Sequence, residues 1–143
     1  MDVAAEKAAH EAADRIVYLF PVHWFNLTPL LKEYMNSVWE FNWAFGPEGY
    51  ALQDKEFLVV TAAGGMETTY QLDGLIRRTG ADILSSLEAS AYYVGMTYLE
   101  PVIFYQTISA TPEIIAQHQQ VFAQRLAAPL NTHVRNRSVR TRG

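Results

Sequence analysis

The sequence predicts an α/β sandwich with a parallel sheet, in one domain over residues 1–130. Three observations carry this reading. Residues 16–20 and 57–61 are uninterrupted apolar runs of strand length, rich in β-branched and aromatic residues. Such runs suit parallel strands covered on both faces. Stretches with apolar residues at the helical period separate them. The resulting order is helix, strand, helix, strand, helix, strand, helix.

Residues 2–13 are Ala-rich and read as a lightly packed helix. Residues 14–20 form the first strand, which Pro21 stops because proline has no N–H for the ladder. Val22, His23, Trp24 and Phe25 make a short connection, and Thr28 and Pro29 suit the cap and first turn of a helix over 29–40. Leu30, Leu31, Tyr34, Met35 and Val38 fall on one stripe of that helix. Residues 41–54 are a loop with Trp43, Phe45 and Tyr50, read as packing or dimer contacts. The second strand, 57–61, runs into Ala62, Ala63, Gly64 and Gly65. Glycines directly after a parallel strand let backbone approach a ligand closely. Residues 66–80 are polar and predict an irregular active-site loop with a short helical turn. A helix over 83–95 uses Ile83, Leu84, Leu87, Ala91 and Val94, and residues 101–106 are the third strand. Thr111 caps the last helix, Pro112 opens it, and Ile114, Ile115, His118, Val121, Phe122 and Leu126 form its expected buried stripe. Residues 131–143 show no periodicity and read as a disordered basic tail.

Composition narrows the function classes. The 143 residues suffice for one domain with a real core. There is no cysteine, which excludes disulfides, thiolate catalysis and cysteine-based metal sites. The four histidines lack metal-ligand spacing. No 18-residue apolar run is present, and the first residues lack the pattern of a signal peptide, so a cytoplasmic location is expected. The formal charge of −4 divides unevenly: residues 132–143 hold four Arg and no acid, leaving −8 on the rest. An acidic body argues against a nucleic-acid-binding domain.

In open α/β sheets, ligands bind beyond the carboxyl ends of the strands. Trp24 and Phe25 after the first strand, next to the Gly-Gly turn after the second, therefore read as walls of a pocket for a flat aromatic ligand.

Taken together, FPVHWFNLTPLLK, VWEFNWAFG, the strand ending in AAGG, and Tyr70 resemble the flavodoxin-like NAD(P)H:quinone oxidoreductases. The nearest branch is the ancillary subunits of glutathione-gated potassium efflux systems, and the likeness spans about residues 2–128. It implies a three-layer sandwich holding FMN or FAD, NAD(P)H as cosubstrate, a quinone acceptor and a homodimer. It also implies, for that branch, a potassium efflux transporter as partner and a place at the inner face of the cell membrane. By position, Val22, His23, Trp24 and Phe25 match the first ring-contacting loop. Ala62, Ala63, Gly64 and Gly65 match the second, usually Thr-Thr-Gly-Gly. Tyr70 matches a tyrosine that hydrogen-bonds the flavin and helps stabilise charge during hydride transfer.

The departures are specific. The proline of the first loop falls at Thr28, two threonines are Ala62 and Ala63, and a relay histidine is Ile76. The family's opening strand, phosphate-binding loop, helix and second strand find no match in these residues. The domain is therefore expected to be incomplete at its N-terminus, with residues 14–20 left at a sheet edge.

Overall fold

The structure is a computed structural model that describes residues 1–131, so the predicted basic tail lies, but for Asn131, outside the described residues. The helices are α1 (Val3–Ala12), α2 (Pro29–Val38), α3 (Gly80–Ile83), α4 (Ser85–Tyr93) and α5 (Pro112–Ala127). The strands are β1 (Arg15–Pro21), β2 (Glu56–Ala62), β3 (Thr97–Tyr98) and β4 (Val102–Phe104). All pairings are parallel, and β2 is central. β1 lies on one side of it in the register Ile16 to Phe57 and Phe20 to Thr61. The other side holds β3 at the start of β2 and β4 at its end.

Helix starts follow local chemistry. The side chains of Asp2, Thr28 and Thr111 each accept a hydrogen bond from the backbone N–H three residues on. Pro29 and Pro112 occupy first-turn positions that have no N–H bond to lose.

Two layers of side chains cover β2. Ile16, Tyr18, Phe20, Phe57 and Val59 face α2 and α4 through Met35, Leu84, Leu87 and Ala91. Leu58, Val60 and Val102 face the other way and meet Phe122 of α5. The start of the sheet is tied down by a buried ion pair. Arg15 Nε and Nη2 donate to Glu56 Oε2 at 2.9 and 2.8 Å, and Asn131 N donates to Oε1 at 2.7 Å. Arg15 Nη1 also donates to the carbonyls of Leu126 and Ala128 at the end of α5.

Four expectations are corrected. β1 is fully covered on one face and only partly on the other, where Val17 is half-buried against the layer of Leu58 and Val60. Ile16, Tyr18 and Phe20 are buried, whereas Leu19 on the opposite face is 63% exposed, because β1 is an edge strand among the described residues. The third strand starts earlier and is interrupted: Leu99, Glu100 and Pro101 separate β3 from β4. Proline cannot donate to a ladder, which is why the break falls there. The helix expected over 83–95 is two pieces meeting at Leu84, with Thr79 and Asp82 forming a capping box on the first. The stripe of α5 is not buried. Ile115, Val121 and Leu126 are exposed and no residue of α5 is fully buried, since this helix meets the sheet mainly through Phe122 and His118.

Candidate functional site

β1, β2 and β4 are parallel, so the turns that leave them emerge at one end of the sheet. Val22 N donates to Ala62 O at 2.9 Å, which makes the first two turns direct neighbours. Just beneath, Thr61 Oγ1 donates to Phe20 O at 2.6 Å.

The first turn is closed reciprocally. His23 N donates to Asn26 O and Asn26 N to His23 O, both at 3.1 Å. The two residues between them have positive φ, 47° for Trp24 and 59° for Phe25. Glycine, asparagine and aspartate usually fill such central positions, because other side chains are strained there. Here two aromatic residues fill them, and Trp24 is 93% exposed. His23 is exposed and Val22 half-buried.

The second turn is backed by the third. Ala63 N donates to Phe104 O at 2.8 Å, Thr107 N to Ala63 O at 3.2 Å, and Gln106 N to Gly65 O at 2.8 Å. Thr107 Oγ1 adds a bond to Ala63 O. Ala63 is buried, Ala62 and Gly64 are half-buried, and Gly65 is exposed. The two glycines differ in use. A Cβ on Gly64 would lie 2.6 Å from Ile108 Cδ1, so its missing side chain makes room for the third turn. A Cβ on Gly65 would meet nothing nearer than Tyr70 at 3.5 Å. Among the described residues, no backbone acceptor is recorded for the N–H of Gly64 or Gly65.

Tyr70 follows a 3-10 turn over Glu67–Thr69, within the expected irregular loop. Its ring is buried, 6.0 Å from that of Phe25 and 5.2 Å from that of Tyr105. Burial pushes its phenol above the usual tyrosine range. Its hydroxyl has no recorded partner among the described residues and is not sealed from solvent. The sequence-predicted residues thus come together at one end of the sheet. Sequence reasoning missed the third turn, with Tyr105, Thr107 and Ile108. The available signal was position alone: these residues follow a parallel strand's carboxyl end.

A separate groove of about 1180 Å³ runs along the outer edge of β1 between α1 and α2. Of the predicted site residues only His23 borders it. It lies apart from Trp24, Phe25, Ala62, Ala63, Gly64, Gly65 and Tyr70, none of which lines it. Among the described residues no cluster of His, Asp and Glu is arranged to hold a metal ion.

The family model for the flavodoxin-like fold matches residues 1–126. The chain belongs to that family. The NAD(P)H oxidoreductase YdeQ of Bacillus subtilis is 34% identical over 136 residues, 94% of this chain and 69% of that protein. General stress protein 14 of Treponema denticola, solved in complex with FMN, is 32% identical with a TM-score of 0.80, covering 86% of this chain and 71% of that one. An NADPH-quinone reductase from P. pentosaceus is 26% identical with a TM-score of 0.85, covering 92% and 77%. A chain described as a thermophilic tryptophan halogenase from Streptomycin violaceusniger is 34% identical with a TM-score of 0.88, covering 91% and 76%.

Proposed function

We propose that this protein is an FMN-dependent NAD(P)H:quinone oxidoreductase. The observation that carries the reading is the strained turn at Trp24 and Phe25. Strain of this kind persists where the surrounding structure holds it for use. Here it presents two flat apolar side chains beside a glycine turn with free N–H groups. The names of three similar proteins support it: two carry oxidation of NAD(P)H or NADPH, and one describes an FMN complex.

FMN held by the turns after β1 and β2 would supply two-electron redox chemistry between NAD(P)H and a quinone. The residues of this chain bind, orient and exclude water. Trp24 and Phe25 supply an apolar wall. The N–H groups of Gly64 and Gly65 offer donors to acceptors on the ring edge, and the losses at Ala62 and Ala63 remove two hydroxyls while leaving the backbone intact. Tyr70 keeps its proton at neutral pH, because burial disfavours the phenolate, and offers an O–H to charge developing on a neighbour. Neither a nucleophile nor an acid–base dyad is required for hydride transfer. NAD(P)H and quinone would enter this site in turn, a ping-pong sequence.

A homodimer is supported by the exposed aromatic cluster of Phe41 and Tyr93 about Phe45. The finer role as ancillary subunit of a potassium efflux transporter at the membrane rests on the motif resemblance, and co-purification with such a transporter is its test. No helix among the described residues is long and apolar enough to cross a membrane.

The deciding experiment supplies FMN in large excess and follows NADPH oxidation with a quinone. Oxidation above the rate of free flavin is expected. A rate equal to that of free flavin would overturn the reading.

A further inference from the structure

The third turn carries a side chain with no role so far. Tyr105 follows β4 and is half-buried, with its ring 5.2 Å from that of Tyr70 at an interplanar angle of 50°. Its other end is fixed from behind. A Cβ on Gly80, at the start of α3, would lie 2.4 Å from the Tyr105 hydroxyl and 2.4 Å from Ile103 Cδ1. Gly80 is buried and its φ is not in the left-handed region, so the turn does not demand glycine there. A side chain there would instead have to displace the ends of Tyr105 and Ile103. A contact line therefore runs from Gly80 through Tyr105 and Tyr70 to Phe25. It joins the first turn, the loop after β2 and the third turn, three segments far apart in sequence.

We infer that Tyr105 is a positioning residue: its ring, wedged between Gly80 and Tyr70, sets where the Tyr70 phenol stands beside the first turn. Toward Tyr70 the contact is made by the ring, whereas toward Gly80 the hydroxyl is the nearest Tyr105 atom. The inference rests on the flavin reading only for its effect on turnover, since the placement of Tyr70 is a property of the protein without ligand.

The test compares four variants of the full chain: Tyr105→Phe, Tyr105→Leu, Gly80→Ala, and Gly80→Ala with Tyr105→Phe. Far-UV circular dichroism first establishes that each is folded. In tyrosine-labelled protein without FMN, the Tyr70 ring resonances are expected to move in Tyr105→Leu and Gly80→Ala. They should stay in place in Tyr105→Phe. The double variant should return them, because removing the hydroxyl leaves Tyr105 Cζ 3.6 Å from the new Cβ and the Ile103 methyl can rotate aside. With FMN in excess, the hydride-transfer rate should fall about tenfold in Tyr105→Leu, with KM for NADPH within about twofold, and recover in Tyr105→Phe. Unmoved Tyr70 resonances in Tyr105→Leu, or a Tyr105→Phe variant as impaired as Tyr105→Leu, overturns the inference. If wild-type protein shows no turnover, the flavin reading fails, and the ligand-free resonances still decide the positioning role.

Discussion

Replacing Trp24 by glycine should stabilise the fold while weakening the flavin site, an opposition that an ordinary surface residue would not show. A non-glycine residue in the left-handed region costs about 1–2 kcal/mol. Glycine adopts it freely but loses more chain entropy on folding, which offsets about 0.5–1 kcal/mol. Lost packing adds almost nothing, because Trp24 is 93% exposed. The net expectation is a gain of about 0.5–1 kcal/mol, or roughly 2–4 °C in Tm for a chain of this size. Trp24→Ala keeps the strain and should leave Tm nearly unchanged. Both variants remove the flat wall and should weaken FMN about tenfold, the scale of one aromatic contact. Thermal melts without ligand and fluorescence titration with FMN give the two readings. A lower Tm for Trp24→Gly would show that the turn is not strained, and unchanged FMN affinity in both would remove Trp24 from the site.

Three further outcomes are expected. Arg15→Met should destabilise the fold by about 3–5 kcal/mol, because it strands the Glu56 carboxylate, 2% exposed; adding Glu56→Leu should recover much of this, and a single variant within about 1 kcal/mol of wild type in urea melts would refute the ion pair's role. Stability should fall as pH rises above about 10. Burial raises Tyr98 to about 12 and pushes Tyr18, Tyr34, Tyr70 and Tyr105 upward, so the unfolded chain releases these protons first. The contribution is complete below the unfolded value and is lost through the folded one; tyrosinate absorbance accounting for all eight tyrosines at the ordinary value, before unfolding, would contradict it. Leu19→Lys should reduce concentration-dependent association in sedimentation, since Leu19 is apolar, 63% exposed and on the open edge strand. Equal association in both proteins would place the sticky surface elsewhere.

Local pattern determined the elements whose causes are local. The apolar runs became β1 and β2, and Thr28–Pro29 and Thr111–Pro112 became helix starts. The two aromatic residues after β1 and the glycines after β2 had to share one end of the sheet once both strands ran parallel. Those facts follow from spacing and side-chain chemistry, which a linear sequence displays. Tertiary structure alone decided matters that depend on neighbours distant in sequence. Period-2 patterning of β1 is masked by its apolar composition, so only the packing of the other elements showed that Leu19 is exposed while Ile16, Tyr18 and Phe20 are buried. The α5 stripe is apolar, yet the face it meets is narrow and leaves it half covered. Gly64 looked like a place for ligand, whereas the structure fills its vacancy with Ile108. The same holds for Gly80 and Tyr105, 25 residues apart: nothing local in either segment reports a contact that exists only after the chain has crossed the sheet.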